Sequence, residues 1–308
     1  MKIAHRTTMF DLEHQGEPYL VAACLLESDG GVALIDPGPS AALGTFRRKI
    51  AEHGISVTDI RTILLTHIHL DHAGATGFLV QQNPNIQVYV HESAAPHLRD
   101  PGRLLKSARR VYGDQLEIQW GGITPVPAEN LHALADGDHL HLGRREIVAA
   151  YTPGHAAHHV CYLDTDTGIA FVGDTAGIRV PGKPHVFPWA PPPEVQIQHW
   201  RSSIEKIQSW GPEMLFLTHF GTVECVSWHL ADFDRRLQEW SSLVKNSLAD
   251  SRSDSERAAS FSQTVLKQIQ QLLPYNDVTR LLKLCSLEAC WYGLARYWRM
   301  SGTSPVER

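Results

Sequence analysis

The chain has 308 residues, of which 43% are hydrophobic and 20% are charged, and its formal net charge is −5. This composition is typical of a globular protein and excludes a disordered or fibrous chain. The acidic balance, with no run of Lys or Arg, argues against nucleic acid as the main partner. No segment approaches the roughly 18 apolar residues of a membrane helix, and the start, MKIAHRTTMF, lacks the apolar core of a secretory signal. We therefore expect a cytoplasmic protein that acts on a small molecule and has no membrane partner.

From the N-terminus to about residue 225, short apolar runs alternate with turn residues. Their length and their content of β-branched residues predict strands. The runs are LVAACLL (20–26), GVALIDPG (31–38), RTILLTH (61–67), IQVYVHE (86–92), EIVAAYTPGH (146–155), HVCYLD (159–164), GIAFVGDT (168–175) and MLFLTHFG (214–221). Helical patterns lie between some of them, at residues 71–82 and, after the prolines at 191–193, at Ile197, Trp200, Ile204 and Ile207.

The pattern changes after residue 225, where apolar residues recur at helical spacing on both sides of a Ser/Asp-rich segment (247–256). The recurring residues are Leu230, Phe233, Leu237, Trp240 and Val244, then Phe261, Val265, Ile269 and Leu272, then Leu284, Leu287, Trp291, Leu294 and Trp298. About three helices after a series of strands predict a mixed α/β domain over residues 1–225 and a helical extension over residues 226–308. The apolar faces of the extension are expected to form core or a homodimer contact rather than a ligand pocket.

Five cysteines are scattered along the chain without C-x-x-C spacing, at Cys24, Cys161, Cys225, Cys285 and Cys290. Such a set is typical of reduced thiols in a reducing compartment. We expect most of these thiols to be buried.

One stretch, TILLTHIHLDHAG (62–74), leads from an apolar run directly into three histidines and an aspartate. Polar groups next to a buried strand need hydrogen bonds or a ligand to offset their lost hydration. In extended backbone, His67 and His69 point to the same side. Asp71 and His72, adjacent at the beginning of a predicted helix, diverge from each other. Two diverging sets of side chains favour two metal ions over one.

Three more predicted strands end in side chains that can bind metals: His155 after AAYTPG, Asp174 after IAFVG and His219 after MLFLT. Because open α/β sheets place their sites at the carboxyl ends of strands, these side chains are expected to join the histidine-rich loop. The natural division is His67, His69 and His155 on one ion, and Asp71, His72 and His219 on the other, with Asp174 between them. Imidazole ligands suit Zn, Cu, Fe or Ni, and a carboxylate can bridge two ions.

With these residues in this order, the chain resembles the metallo-β-lactamase superfamily and, within it, the glyoxalase II-like branch. The resemblance is carried by T-H-x-H-x-D-H at 66–72, T-P-G-H at 152–155, G-D-T at 173–175 and T-H at 218–219, preceded by I-D-P-G at 35–38. It implies an α/β fold in the form of a four-layer αββα sandwich and a binuclear metal centre with the ligand division given above. The two divalent ions are expected to be Zn²⁺ in preference to Fe or Mn, and the implied reaction is hydrolysis by a hydroxide that bridges the metals. The helical tail does not match the glutathione-binding tail of glyoxalase II, so that substrate is not implied.

The expected reaction is cleavage of an ester, thioester or lactone. Two divalent ions lower the pKa of a shared water and polarise the substrate carbonyl, and the chain has no G-x-S-x-G sequence that would supply a serine nucleophile. Asp71 is expected to be both a metal ligand and the catalytic residue that orients the hydroxide. Two segments, 99–130 and 176–193, are long enough to form the walls of a pocket. The second contains Phe187 and Trp189, and also Arg179 and Lys183, which we interpret as solvated loop charges rather than anion contacts.

Several other polar residues are expected to have structural roles rather than to bind metal. His158 and His159 lie close to His155 in the chain but are expected to form hydrogen bonds or to pack, not to bind metal. The remaining histidines, including His91, His132, His139, His141, His185 and His229, are expected at the surface or at helix ends. The resemblance makes Asp36 a structural residue behind the ligands, whereas its own neighbours favour a role in the tight Pro37-Gly38 turn.

Two other classes of function remain open. One is an oxygenase of the persulfide dioxygenase type, a branch that shares much of the motif but uses one iron. The other is a non-catalytic metal-binding or interaction protein that acts through its helical tail. Cleavage of β-lactams is disfavoured, because the secreted enzymes carry a signal peptide and place cysteine where this chain has Asp174.

Overall fold

The computed structural model describes residues 1–301, and two β-sheets form its centre. Seven strands form the first sheet in chain order: β1 (Lys2–Ala4), β2 (Thr7–Asp11), β3 (Ala22–Ser28), β4 (Gly31–Ile35), β5 (Ile60–Leu64), β6 (Gln87–His91) and β7 (Leu131–Leu134). Strands β1 to β4 pair antiparallel, and β4 to β7 pair in parallel.

The later strands form the second sheet and a small hairpin. They are β8 (His139–Leu142), β9 (Arg145–Tyr151), β10 (Val160–Asp164), β11 (Ile169–Phe171), β12 (Ile178–Arg179), β13 (Val186–Phe187), β14 (Met214–Leu217) and β15 (Gly221–Val223). The second sheet has the order β15-β14-β11-β10-β9-β8, and β12 pairs only with β13. Only β11 and β14 run parallel within it.

Helices cover both outer faces of the sheets. They are α1 (Leu43–Glu52), α2 (Leu70–Ala73), α3 (Thr76–Gln82), α4 (Ala95–Arg99), α5 (Gly102–Tyr112), α6 (Leu116–Trp120), α7 (Ile197–Ser209), α8 (Val226–Ser247), α9 (Asp254–Leu272), α10 (Tyr275–Leu284) and α11 (Leu287–Ser301).

Three buried apolar layers hold these elements together. Between the sheets, Leu26 of β3 and Tyr162 of β10 belong to one cluster. On the far side of the first sheet, Phe46 of α1 packs in a second cluster with residues of β3 and β5. On the far side of the second sheet, Trp200 of α7 and Trp291 of α11 share a third cluster. The order helix, sheet, sheet, helix confirms the expected αββα sandwich, because each sheet buries one face against the other sheet and one against helices.

Each of the eight apolar runs in the first part of the chain overlaps an observed strand, which confirms those predictions. Strands such as β8, with the sequence HLHL, escaped the sequence analysis because polar residues alternate with the apolar ones. The helix expected at residues 71–82 is divided into α2 and α3. The division falls at Gly74-Ala75, because the Ala75 N–H bonds to the carbonyl of Gly38 rather than continuing the helix.

The described part of the extension has four helices, where the spacing predicted about three. The spacing of the apolar residues from Leu284 to Trp298 predicts one helix. Two helices are observed there, because α10 ends at Leu284 and α11 begins at Leu287. Trp291 and Leu294 on that face are fully buried, so this part of the face is core, as expected. The boundary at residues 225 and 226 and a homodimer contact through the extension stay predictions, and residues 302–308 lie outside the described part.

Four of the five cysteines are buried and only Cys225 is exposed, which confirms the expected burial. All five are free thiols. Within residues 1–301, no helix combines the length and the apolar character needed to cross a lipid bilayer.

Replacing Trp291 with alanine tests how strongly the extension is packed onto the sandwich. The side chain is fully buried, so its removal should lower the free energy of unfolding by about 3–5 kcal/mol through lost burial and a cavity. Urea denaturation measures the change. The neighbouring Tyr292, which is 39% exposed, provides the matched control. Equal destabilisation by Trp291→Ala and Tyr292→Ala would contradict the packing described here.

Candidate metal centre

The seven predicted ligands all follow the carboxyl ends of strands. The loop after β5 supplies His67 and His69, and helix α2 directly after it supplies Asp71 and His72. His155, Asp174 and His219 follow β9, β11 and β14. Strand β5 belongs to the first sheet and the other three belong to the second. The structure brings all seven side chains together, so the cluster joins the two sheets at one place.

The side chains divide into two groups, each of which could hold a metal ion. In the first, the Nε2 atoms of His67 and His155 lie 2.9 and 3.0 Å from Nδ1 of His69. In the second, Nε2 of His219 lies 3.2 Å from Nε2 of His72 and 3.2 Å from Oδ2 of Asp71. The ligand atoms of each group lie within 4.8 Å of one another.

Asp174 lies between the two groups. Its Oδ1 is 3.3 Å from Nε2 of His72, and its Oδ2 is 3.4 Å from Nε2 of His155. The carboxylate is fully buried, and neither oxygen accepts a hydrogen bond from the described protein. An ionised carboxylate buried without hydrogen bonds is costly unless it is paired with a cation. The surroundings of Asp174 therefore fit one metal ion on each side of the carboxylate.

The imidazoles are fixed by the ring nitrogens that face away from the cluster. Nδ1 of His155 donates to the carbonyl of Trp189 (2.8 Å), Nδ1 of His219 to that of Leu20 (2.7 Å), and Nδ1 of His72 to Oδ2 of Asp36 (2.8 Å). Because a carbonyl oxygen can only accept, the first two rings carry a proton on Nδ1 and turn Nε2 towards the centre. Converging lone pairs repel one another unless a cation lies between them, and outer hydrogen bonds of this kind orient metal ligands.

The Asp36 carboxylate organises the polar layer behind the ligands. It accepts the backbone N–H of Thr66 at 2.8 Å, the Thr66 hydroxyl at 2.7 Å and the Thr218 hydroxyl at 3.0 Å, in addition to His72. These contacts correct the favoured role in the Pro37-Gly38 turn and agree with the role implied by the resemblance. The sequence analysis missed both threonines. The repeated pair Thr-His, at 66–67 and 218–219, was the available signal.

Burial and neighbouring charges set the protonation of the cluster. Burial lowers the pKa of the His67 imidazole well below its usual value, and the nearby imidazole of His72 lowers it further. Burial also lowers the pKa of His155 to about 4. For Asp174 burial acts to raise the pKa, but the imidazoles of His72 and His219 hold that pKa well below its usual value. Neutral His67 and His155 and an ionised Asp174 are the protonation states that metal binding requires. Burial acts to lower the pKa of His72 and His219, but the Asp174 carboxylate raises that pKa above its usual value, so both rings must release a proton when they bind metal.

The histidines that are not predicted metal ligands serve mainly as hydrogen-bonding partners. His159 bonds through Nδ1 to the hydroxyls of Thr152 and Thr175, and its Nε2 accepts the N–H of Asp174. His229 lies in the first turn of α8, so it is at a helix end, one of the two places expected for it, and there it is buried and donates to the carbonyl of Ala176 at 2.8 Å. His91 is also buried, against that expectation.

A pocket opens beside His69 and Asp71. Its apolar wall comes from the two segments expected to line it, and its residues are Leu104, Ser107, Ala108, Val111, Tyr112 and Trp120 from the first and Trp189, Pro191, Pro192 and Pro193 from the second. Phe187 is instead fully buried in the core. Arg179 is not a solvated loop charge, because its guanidinium donates to the carbonyls of Thr222 and Lys183. The cluster therefore meets solvent through a largely apolar cleft.

Comparison with known proteins extends this description. The family model of the metallo-β-lactamase superfamily matches residues 16–219. The chain is 26% identical over 146 residues to a hydroxyacylglutathione hydrolase of Legionella pneumophila (strain Lens), covering 47% of this chain and 43% of that protein. It is 30% identical over 143 residues to the thioesterase pkgB of Emericella nidulans, covering 46% of this chain and 31% of that protein. The match thus spans less than half the length of either relative.

One solved structure resembles nearly the whole chain. A metallo-β-lactamase family protein from Thermus thermophilus has a TM-score of 0.70 and 21% identity, and the alignment covers 98% of this chain and 95% of that one. At this identity the likeness concerns the fold. It includes the helical extension as well as the sandwich.

Replacing Asp36 with asparagine tests the layer behind the ligands. The amide nitrogen of asparagine cannot accept from Thr66, Thr218 or His72, so we expect a loss of about 2–3 kcal/mol in unfolding free energy. We also expect zinc affinity to fall roughly 10–100-fold, because the ring of His72 loses its support. Urea denaturation and competition with a chromophoric chelator measure the two effects. Asp166→Asn at an exposed position is the control, and unchanged zinc affinity in Asp36→Asn would contradict the assigned role.

Proposed function

The chain belongs to the metallo-β-lactamase superfamily, and on this basis we propose that it is a binuclear metal-dependent hydrolase of esters, thioesters or lactones. One observation carries the proposal. The Asp174 carboxylate is buried between two groups of nitrogen and oxygen ligands, with no hydrogen-bond donor of the described protein satisfying it. Such a carboxylate is suited to bridge two cations.

The residues assigned to each ion follow the two groups. His67, His69 and His155 would hold the first ion, Asp71, His72 and His219 the second, and Asp174 both. Zinc is the preferred metal for such ligands, with iron or manganese as alternatives. Two divalent ions there would supply a water of lowered pKa and a Lewis acid for the substrate carbonyl.

The chain's own residues bind and orient the reactants. In hydrolysis the oxygen of water bonds to the acyl carbon, the acyl C–O or C–S bond breaks, and the departing alcohol or thiol gains a proton. Asp71 lines the pocket as well as belonging to the second group. Its carboxylate is therefore placed to orient the attacking water. The Trp189 carbonyl holds His155 while the Trp189 side chain lines the pocket, so one residue links the ligand to the substrate wall.

The apolar cleft supports an acyl substrate of small-molecule size. Ligand pockets of this kind bind apolar groups along their walls and orient them with a few polar groups. The names of two relatives, a hydroxyacylglutathione hydrolase and a thioesterase, describe cleavage of thioesters and point in the same direction. Because the matches cover less than half of those proteins, the substrate class rests on the pocket as much as on them.

Metal analysis of purified protein tests the binuclear centre. The wild type should retain about two ions per chain after dialysis against zinc, and His219→Ala about one, because only the second group loses a ligand. Elemental mass spectrometry gives the counts. His141→Ala, at an exposed position, is the control and should match the wild type. Iron as the sole metal, with oxygen uptake on a persulfide, would contradict the proposal and indicate an oxygenase.

Activity assays test the reaction. The holoenzyme should hydrolyse members of a panel of lactones, thioesters and carboxylic esters, and phosphodiesters and β-lactams serve as comparison substrates. His67→Ala and Asp71→Ala should abolish turnover, because each removes one of the residues that would hold a metal ion. Absence of turnover on every carbonyl substrate, with both ions bound, would contradict the hydrolase proposal.

A larger side chain in the pocket tests whether its apolar wall binds the acyl group of the substrate. Ala108 lines the cleft on α5, so Ala108→Trp should lower the ratio of kcat/KM for decanoyl over acetyl esters roughly tenfold or more. The metal content of the variant should equal that of the wild type. An unchanged ratio would show that the acyl group binds elsewhere.

A further inference from the structure

Helix α5 (Gly102–Tyr112) presents two different sides along the mouth of the pocket. Leu104, Ala108 and Val111 line the pocket, together with Ser107. With 3.6 residues per turn, these positions share one side of the helix. Arg103, Lys106 and Arg110 fall on the adjoining side, and all three are exposed. The apolar wall of the cleft therefore continues directly into a basic surface.

The basic side reaches the rim of the pocket at Ser107. Arg103 and Arg110 stand four residues before and three residues after Ser107, and side chains at these spacings are neighbours on a helix. Lys106 is a neighbour of both arginines on the helix, because it stands three residues after Arg103 and four residues before Arg110. We call Arg103, Lys106 and Arg110 the basic rim.

The basic rim has no acidic partner within the chain. None of its three side chains forms a hydrogen bond or an ion pair with another of the described residues 1–301. Arg109, on the same helix, differs because it pairs with Glu117 at 3.0 Å. Like charges three and four residues apart destabilise a helix, so the basic rim carries a cost that no internal carboxylate offsets. The formal charge of the whole chain is −5, which makes this local excess of positive charge more distinctive.

The cations of the second pocket-forming segment, Arg179 and Lys183, are engaged elsewhere. The guanidinium of Arg179 donates to backbone carbonyls, and the amine of Lys183 lies 4.0 Å from the Asp277 carboxylate. Neither lines the cleft. The basic rim is thus the group of charges best placed to meet a substrate that extends out of the pocket.

We propose that the substrate is an acyl thioester or ester whose leaving half carries phosphate groups, with the acyl chain in the apolar cleft and the phosphates on Arg103, Lys106 and Arg110. This inference rests on the proposed hydrolase function and specifies its substrate. Guanidinium and ammonium groups are the usual partners of phosphate, and arginine binds it in a fork. Hydrolysis then releases the free acid and a phosphorylated thiol or alcohol, and the loss of the acyl anchor lets the charged product leave.

A matched pair of substrates separates the two halves of this recognition. Decanoyl-coenzyme A and decanoyl-pantetheine share the acyl chain and the thioester, but only the first carries phosphates. We expect kcat/KM for the coenzyme A thioester to be about tenfold higher at low ionic strength. The preference should shrink as salt is added, because exposed charges are screened.

Charge-reversal variants test whether the basic rim causes the preference for decanoyl-coenzyme A. In the triple variant Arg103→Glu, Lys106→Glu and Arg110→Glu, the ratio of kcat/KM for decanoyl-coenzyme A over decanoyl-pantetheine should fall about tenfold relative to the wild type. The matched control reverses Lys2, Arg61 and Lys267, which are exposed, line no part of the cleft and change the net charge equally. The control should keep the wild-type ratio. Circular dichroism and metal content establish that both triple variants are folded and loaded.

Binding provides a readout that does not depend on turnover. Calorimetry of the wild-type holoenzyme with coenzyme A should show binding that the basic-rim variant loses and the control variant keeps. If neither thioester is hydrolysed but coenzyme A binds in this way, the hydrolase proposal fails and the phosphate site stands. If both thioesters are hydrolysed equally in wild type and variants, the phosphate site fails and the hydrolase proposal stands. Binding of the basic rim to phosphatidylserine vesicles, without any preference for coenzyme A over pantetheine, would also overturn the inference.

Discussion

The structure depends on one electrostatic constraint, the convergence of imidazole lone pairs and a buried carboxylate on a small volume. His155 and His219 each donate a hydrogen bond from the outward ring nitrogen, so their inward nitrogens are left to bind a cation. Asp174 adds a charge to the same volume without a hydrogen bond from the described protein. Groups of this kind repel one another, and burial removes the water that would otherwise solvate them. Cations relieve the repulsion, which is why the arrangement fits a metal centre rather than an ordinary polar core.

Hydrogen bonds from residues behind the cluster hold several of the ligands in position. Asp36, directly after β4, connects Thr66, Thr218 and His72, and so ties the loops of both sheets to one carboxylate. The helical extension contributes as well. His229 of α8 bonds to the carbonyl of Ala176, just beyond Asp174. The site is therefore held by the sandwich and by the extension together, through hydrogen bonds that fix orientation more than they add stability.

The pocket is built on the same supports. The loop with Trp189 and the prolines 191–193 lines the cleft on one side and contacts α11 on the other, where Cys290 accepts the N–H of Ala190 and Arg296 donates to the Pro193 carbonyl. The opposite wall is α5, whose apolar side faces the cleft and whose basic side faces solvent. Two elements thus share these roles, because the loop with Trp189 orients His155 and lines the cleft, whereas α5 lines the cleft and carries the positive charge at its rim. Changes in one of them can alter specificity while the metal ligands stay in place.

The strands that precede the site, the helical extension and the candidate ligands can all be predicted from the sequence, because apolar periodicity and the spacing of histidines and aspartates are local properties. The sequence could not determine that His69 presents Nδ1 while His67 and His155 present Nε2. It also could not place Asp36 beneath Thr66, Thr218 and His72 instead of in its own turn, or bury His229 against Ala176. Those choices belong to the tertiary structure, since each depends on a hydrogen-bond partner from another strand or helix that adjacent residues do not reveal.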